Sequence, residues 1–264
     1  MEYNTQAPAC FTVKNLSFAY DSKQILQNLN ICIPKGKVVT LMGPNGCGKS
    51  TLFQLLTKNL TPTTGDIYYG DTPITAFTLR DFAKKIAIVH QNNSAPNDMT
   101  VEQLVSYGRI PYTRMGRSIS KEKDMQMVER AMKITGITSL RNRSIAAISG
   151  GQKQRVWIAM ALAQGTKTLL LDEPTTYLDI RYQLQILKLV KMLNEHFGIS
   201  IIMVLHDINQ AIAYSDEIIA LSAHGSIVAQ GNPKEILTTD VLKQIYGIEL
   251  PVIAYDEQKL VLTI

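Results

Sequence analysis

This sequence has few cysteines and no long apolar run, and each shortage argues against a class of protein. No apolar stretch among its 264 residues approaches the roughly 20 residues that a membrane-spanning helix needs. The three cysteines, Cys10, Cys32 and Cys47, are scattered and odd in number, which argues for a reducing cytosol and against disulfides or a zinc site. The first residues include neither a basic nor an apolar leader segment, so we expect no signal peptide.

Net charge is modest, but the basic residues are unevenly distributed. The formal net charge is +5, whereas residues 109–155 contain eleven Lys and Arg against three acidic residues. Neither a block of Lys and Arg nor interleaved aromatics accompanies this excess, so the sequence does not indicate nucleic-acid binding. Two explanations remain open, a solvated helical face or a surface near anionic lipid head groups or an acidic partner.

The most informative stretch is a glycine-rich loop at residues 43–51, GPNGCGKST, which fits the pattern G-x-x-x-x-G-K-[ST]. The apolar run at 38–42 predicts a buried strand before it, and apolar residues at helical spacing predict a helix after it. A helix start offers unpaired N–H groups and partial positive charge to an anion. Lys49 can reach the β- and γ-phosphates of a nucleotide, and the Ser50 hydroxyl can ligate Mg²⁺. The alternative is a plain glycine-rich turn, which the other motifs disfavour.

Two carboxylates follow a second apolar strand, predicted at 168–171. Asp172 is placed to hold Mg²⁺, and Glu173 is the best candidate to polarise a water in line with the γ-phosphate. The alternative, that both are solvated acids in a turn, is the weaker interpretation because a buried strand directly before them would fix their positions.

Two more polar residues follow predicted strands. Gln91 lies at the carboxyl end of a strand at 86–89, where open α/β sheets bind ligands, and its side-chain oxygen can contact Mg²⁺ or the attacking water. His206 follows a strand at 200–205, and we interpret it as a sensor of the γ-phosphate. For His90 we favour simple packing.

A second glycine pair, Gly150 and Gly151, precedes an apolar helix at 156–163, with Ser149 as its predicted N-cap. This helix start is a second phosphate-binding surface. Two such surfaces on different subdomains do not easily serve one nucleotide within one subunit, whereas a head-to-tail pair of subunits could place one on each side. Near the N-terminus, Tyr20 could stack on an adenine ring, although an exposed tyrosine at a strand end is common.

The remaining patterns predict the architecture. Alternating residues at 11–16 and 25–33 indicate antiparallel strands that form a small β-subdomain beside an α/β core. Helices are predicted at 99–108, 121–135 and 137–143, within an inserted helical segment. The predicted domain is therefore single, with a nucleotide-binding core and β-subdomain at 1–91 and 156–264 and a helical subdomain at 92–155.

These motifs, in this order, resemble the ATP-binding-cassette (ABC) family over almost the whole chain. The fold implied is α/β, a P-loop NTPase (RecA-like) core with an N-terminal antiparallel β-subdomain and an inserted helical subdomain. Tyr20 resembles the family's adenine-stacking aromatic, and its Walker A loop corresponds to Gly43, Pro44, Asn45, Gly46, Cys47, Gly48, Lys49, Ser50 and Thr51. Gln91 resembles the Q-loop glutamine, and the signature motif corresponds to Ser149, Gly150, Gly151 and Gln152. Asp172 and Glu173 resemble the Walker B pair, Asp179 the D-loop aspartate and His206 the switch histidine.

The resemblance also implies a function. Three further stretches, YGRIPY at 107–112, PTTYLDI at 174–180 and GNPKEIL at 231–237, look like ATPase subunits of importers for iron–siderophore, haem and cobalamin, with bacterial ferric-siderophore importers most similar. The implied protein hydrolyses ATP with Mg²⁺, pairs with a second copy of itself and drives a separate membrane permease that a substrate-binding protein supplies. It would lie peripherally at the cytoplasmic face of the inner membrane.

Other functions stay open at this point. An exporter or metal-ion importer subunit would share the fold. A soluble ABC ATPase of DNA repair would need a long coiled coil, where this chain has about sixty residues, and a translation factor would need two cassettes. A P-loop kinase or GTPase would lack Ser149 to Gln152.

Overall fold

The computed structural model describes residues 9–114, 117–255 and 258–262, with the backbone alone at 114, 117, 255 and 258. In chain order the elements are β1 Ala9–Tyr20, β2 Lys23–Pro34, β3 Val38–Met42, α1 Lys49–Leu56, β4 Thr64–Tyr69, β5 Thr72–Pro73, α2 Leu79–Phe82, β6 Ile86–Val89, α3 Val101–Ser106, β7 Thr113–Arg114, β8 Arg117–Ser118, α4 Lys121–Thr135, α5 Gly150–Ala163, β9 Thr168–Leu171, α6 Ile180–Phe197, β10 Ser200–Val204, α7 Ile208–Tyr214, β11 Glu217–Leu221, β12 Ile227–Gly231, α8 Pro233–Ile236, α9 Thr239–Tyr246, β13 Val252–Tyr255 and β14 Gln258–Val261. Short 3₁₀ turns cover Ile74–Ala76, Tyr107–Tyr112, Thr138–Leu140 and Ile145–Ala147. Within the described ranges, no helix combines the length and the apolar character that crossing a membrane requires.

The chain divides into two compact units, the first formed by Met1–Phe77 with Ser200–Ile264 and the second by Thr78–Ile199. The first unit contains an antiparallel sheet in the order β2-β1-β4-β5. Its inward-facing residues, such as Phe11 and Val13, are buried because apolar and polar residues alternate along β1. This sheet confirms the predicted antiparallel β-subdomain.

The first unit also carries the strand that leads into the glycine-rich loop at residues 43–51, called the phosphate loop below. Strand β3 is buried at all five residues and pairs in parallel with β10 and β11, while β12 runs antiparallel to β11. Parallel neighbours end at the same edge of a sheet. The phosphate loop after β3 and His206 after β10 therefore follow adjacent strands at one edge.

The second unit is mainly helical around a short parallel pair. Strands β6 and β9 pair in register, Val89 opposite Leu171, and the pairing continues into the next residue, since the Asp172 N–H donates to the Val89 carbonyl at 2.9 Å. Helix α5 packs among α3, α4 and α6, and its Trp157 is buried. The two units together are mixed α/β, which confirms the predicted fold class.

One predicted helix is wrong. Residues 137–143 form only the 3₁₀ turn Thr138–Leu140, because Gly136 adopts a left-handed conformation with φ of 69° and ends α4. The Ile137 N–H then bonds back to the Met132 carbonyl at 3.0 Å, so the chain turns rather than continuing. The proposed helical subdomain at 92–155 stays a prediction, since the second unit contains it together with residues on both sides.

Candidate functional site

The phosphate loop has backbone that only glycine adopts without strain. Gly43, Gly46 and Gly48 have φ of 152°, 79° and 101°. A Cβ on Gly43 would lie 2.7 Å from the Leu221 carbonyl oxygen, and one on Gly48 would lie 2.5 Å from a methyl carbon of Leu26. The surrounding strands therefore leave no room for a side chain at Gly43 or Gly48, so these two glycines are required by space as well as by conformation.

The donors of this loop fit a polyphosphate. The Lys49 ammonium donates to the carbonyls of Gly43 and Pro44, both at 2.8 Å, which holds a buried positive charge against the loop. The N-cap of α1 is Gly48, which supplies no side-chain hydrogen bond to the helix start. Since Ser50 is exposed, the loop presents an ammonium, a helix start and a hydroxyl, the set that a Mg²⁺–nucleotide requires.

Cys47 lies inside this loop as a packing residue. Its side chain is 1% exposed, and burial raises the pKa of the thiol despite the nearby Lys49 ammonium. A neutral, enclosed thiol is a poor nucleophile, so the structure favours a packing role for the sulfur.

The first unit contains two further predicted site residues. His206 is exposed two residues after the end of β10. Tyr20, at the end of β1, is 45% exposed, and its ring meets that of Phe18 edge-on with centroids 4.8 Å apart. The edge contact orients the Tyr20 ring while leaving it accessible to a base.

In the second unit, the structure brings together Gln91 and Glu173, which lie 82 residues apart in sequence. The Gln91 side-chain amide donates to Glu173 Oε2 at 2.5 Å. Glu173 itself has a φ of 49°, a left-handed conformation that is uncommon for a non-glycine residue and is often found at functional sites. The carboxylate is thus held in a defined position at the end of β9.

Sequence reasoning missed a third member of this cluster. The Thr176 hydroxyl donates to the same Glu173 oxygen at 3.0 Å. The only sequence signal for this contact was a hydroxyl residue three positions after the glutamate. That spacing indicates a contact only when the chain after Glu173 turns back toward the carboxylate. Glu173 Oε2 therefore accepts two hydrogen bonds from neutral donors.

The predicted signature residues form a capping box at the start of α5. Ser149 Oγ accepts from the Gln152 N–H at 3.4 Å, and Gln152 Oε1 accepts from the Ser149 N–H at 3.0 Å. Gly151 is buried, and a Cβ there would overlap the ring of Tyr182 on α6, a contact that the sequence did not indicate. The two glycines consequently have different constraints, because a Cβ on Gly150 would meet only Leu178, at 3.8 Å.

Asp179, the predicted D-loop aspartate, is the N-cap of α6. Its side chain accepts from the Tyr182 N–H at 3.0 Å. The exposed carboxylate therefore stabilises the start of α6, independently of any role in nucleotide binding.

The predicted residues are distributed over both units. The first unit holds Tyr20, the phosphate loop and His206. The second unit holds Gln91, the Ser149–Gln152 box, Asp172, Glu173 and Asp179.

Comparison with known proteins agrees with this set of motifs. A family model described as ABC transporter matches residues 26–176. The iron(3+)-hydroxamate import ATP-binding protein FhuC of Bacillus subtilis (strain 168) is 44% identical over 242 residues, which cover 92% of this chain and 89% of that protein. The ferric enterobactin transport ATP-binding protein FepC of Escherichia coli (strain K12) is 42% identical over 249 residues, covering 94% and 91%.

A solved structure extends the comparison to assembly. The dimeric structure of MJ0796, a bacterial ABC transporter cassette, superimposes with a TM-score of 0.73 at 29% identity, covering 86% of this chain and all of that one. The family model spans more than half of this chain, and the two curated relatives match nearly its full length. This chain therefore belongs to the ABC transporter family, as a member of its ATP-binding cassettes.

Proposed function

We propose that this chain is the ATP-hydrolysing subunit of a bacterial importer for ferric siderophores. The observation that carries the substrate class is the similarity, above 40% identity and over nearly the full length, to FhuC and FepC, whose names describe import of iron(3+)-hydroxamate and transport of ferric enterobactin. The stretches YGRIPY, PTTYLDI and GNPKEIL point the same way. Haem and cobalamin are the neighbouring substrate classes.

Glu173 is the proposed general base. A carboxylate that accepts hydrogen bonds from Gln91 and Thr176 is fixed in orientation, so it can polarise a water in line with the γ-phosphate. His206 would contact the γ-phosphate. Lys49 would bind the β- and γ-phosphate oxygens and stabilise the charge that develops as the terminal phosphoryl leaves.

Mg²⁺ bound with the nucleotide would supply further charge neutralisation. Ser50, Gln91 and Asp172 would hold it, since each offers an oxygen donor of the kind that this hard cation prefers. Tyr20 would stack on the adenine ring.

Two copies would sandwich two ATP molecules. Each nucleotide would lie between the phosphate loop of one copy and Ser149, Gly150, Gly151 and Gln152 of the other. The support is the second phosphate-binding helix start at α5, which has Ser149 as its cap, together with the dimer formed by the similar cassette MJ0796. Asp179 would lie close to the partner copy.

Closure and opening of this dimer would perform the transport work. Gln91 and the helical segment would transmit the movement to a separate membrane permease, which a substrate-binding protein would load. The chain would then be peripheral at the cytoplasmic face of the inner membrane, and none of its residues would touch the transported molecule.

Uptake in cells whose only copy carries Glu173→Gln tests the proposal. Labelled ferric siderophores, haem and cobalamin are supplied to the same strain, and Lys188→Gln, an exposed change on α6 away from the motifs, serves as the matched control. Selective loss of ferric siderophore uptake is the expected result. Loss of haem or cobalamin uptake instead would assign the chain to that substrate. Loss of none, with the variant protein present at wild-type level, would contradict the import role, and the permease that co-purifies would then name the transport class.

A further inference from the structure

The second unit contains a cavity of about 310 Å³ that the nucleotide motifs do not use. It lies between α4, the carboxyl ends of α5 and α6, and the turn before β9. Its apolar wall includes Leu162, Leu193 and Phe197, its cationic side chains are Arg130 and Lys167, and the His196 imidazole also lines it. The volume is at the lower end of the range for small-molecule sites, about 300–1,000 Å³.

The charged residues that line this cavity are all basic. Among the residues that the structure describes, no acidic residue lines it, and neither Arg130 nor Lys167 forms an ion pair. The nearest acids along the helices have other partners. Glu129 pairs with Lys133 and Arg141, and Glu195 lies 4.0 Å from Lys191. Among the described residues, Arg130 and Lys167 therefore have no carboxylate paired with them.

The apolar wall decides which kind of anion fits. The guanidinium of Arg130 lies 5.6 Å from the ring centre of Phe197, so a charged group and an aromatic face are presented side by side. A bare inorganic anion would leave the apolar wall in contact with water, and a hydrocarbon would leave the cations without a counter-charge. A molecule with an apolar body and one acidic group satisfies both.

We propose that this cavity binds a small organic anion, with its apolar body against Phe197 and its acidic group between Arg130 and Lys167. The site is separate from the nucleotide motifs of the same unit. Helix α5 begins at the Ser149 cap and reaches the cavity at its other end, 14 residues later, which is about 20 Å at 1.5 Å per residue. Helix α6 likewise begins at Asp179 and lines the cavity with its last turn.

Calorimetric titration of the full chain with 2-naphthoate, an aryl carboxylate, tests the proposal. One saturable site per chain is expected. Arg130→Gln and Lys167→Gln should each weaken binding about fivefold to tenfold, the effect of losing one charge-assisted contact. Lys188→Gln, which removes an exposed cation from α6 outside the cavity, should leave the affinity unchanged. All three positions are exposed, so the variants should fold.

The chemical controls separate this site from others. The neutral 2-naphthamide and inorganic phosphate should each bind at least about tenfold more weakly than 2-naphthoate. The proposal is overturned by any of three results: no saturable binding, equal affinity in Arg130→Gln and the wild type, or phosphate binding as tightly as 2-naphthoate. Competitive displacement by ADP would also overturn it, because the probe would then occupy the phosphate loop.

Discussion

At the residue scale, Gly151 is constrained by packing as well as by its place in the predicted signature motif. A Cβ at this position would overlap the Tyr182 ring, while one on Gly150 would have room. We expect Gly151→Ala to lower the free energy of unfolding by about 1–3 kcal/mol, the usual cost of overpacking. Urea denaturation measures this, and Gly150→Ala is the matched control that should change stability little.

A double-mutant cycle checks the cause. If the Tyr182 ring is the obstacle, Gly151→Ala should cost less in a Tyr182→Ala background than in the wild type. Equal costs in both backgrounds would contradict the packing explanation.

Ser149 provides a second prediction, because it joins a structural and a proposed chemical role in one side chain. Ser149→Asp should keep the N-cap and hence the melting temperature, since aspartate caps helices as well as serine does. Its negative charge would face the phosphates bound by the partner copy, so ATP hydrolysis should fall by at least about tenfold. Differential scanning calorimetry and phosphate release measure the two effects.

Ser149→Ala also separates the capping role of Ser149 from its proposed role beside a phosphate, because it removes the cap and adds no charge. Loss of the cap should cost about 1 kcal/mol of stability, whereas no repulsive charge is introduced. If Ser149→Asp hydrolysed ATP better than Ser149→Ala, the proposed position of this serine beside a phosphate would be wrong.

At the scale of elements, the YGRIPY stretch explains how the helices of the second unit are held together. Arg109 is 5% exposed, and its guanidinium donates to Asp124 on α4 at 2.8 Å and to the Ala163 carbonyl at the end of α5 at 2.8 Å. It also stacks 3.9 Å from the Tyr112 ring centre. In the sequence, YGRIPY was informative only through family resemblance. In the structure its Arg109 links α4 to α5.

The Asp124 carboxylate gives this link a dependence on pH. Burial alone would raise its pKa, but hydrogen bonds from Ser118 and Arg109 outweigh burial and lower the pKa below the ordinary value. Its stabilising contribution is thus complete above the unfolded pKa, about 3.9, and is lost as the pH falls below that value through the lower folded pKa.

Asp124→Asn should therefore reduce stability by about 1.5–3 kcal/mol at neutral pH, the value of hydrogen bonds to a charged group. The difference from wild type should shrink below pH 4, where the wild-type carboxylate also becomes protonated. Urea denaturation on either side of pH 4 measures this. Glu122→Gln, an exposed change on the same helix, is the control, and a pH-independent difference for Asp124→Asn would refute the explanation.

The sequence predicted elements well where one residue pattern extends through the whole element. Strand β3, strand β9 and helix α4 match their patterns closely. The prediction of a helix at 137–143 was wrong because a single residue, Gly136, ends α4 and changes the direction of the chain. The spacing of apolar residues gives no information about such a change. Contacts between distant residues, such as Gln91 with Glu173 and Gly151 with Tyr182, could not be predicted, since each depends on packing of elements far apart in sequence.

At the scale of the whole molecule, the proposed ATP sandwich predicts an association that depends on nucleotide. Glu173→Gln should bind ATP while hydrolysing it at least about 10²-fold more slowly, so the ATP-bound pair should accumulate. Sedimentation velocity should then show a dimer with Mg²⁺–ATP and a monomer without nucleotide.

A second substitution tests which surfaces form that dimer. Adding Ser149→Asp to Glu173→Gln should leave the chain monomeric with ATP, because in the proposed sandwich the added charge would lie against the partner's nucleotide. A dimer of unchanged stability in the double variant would refute this arrangement of surfaces. Wild-type hydrolysis by Glu173→Gln alone would refute the role of Glu173 as general base.

The burial of Trp157 in α5 has a practical consequence for such work. It is the only tryptophan among the 264 residues, and it lies on the helix that begins at Ser149 and ends at the cavity. Selectively excited indole fluorescence therefore originates from one known position inside the second unit. A change in emission wavelength or lifetime on adding ATP would report on the environment of α5 in the unlabelled protein, without a dye or an engineered reporter.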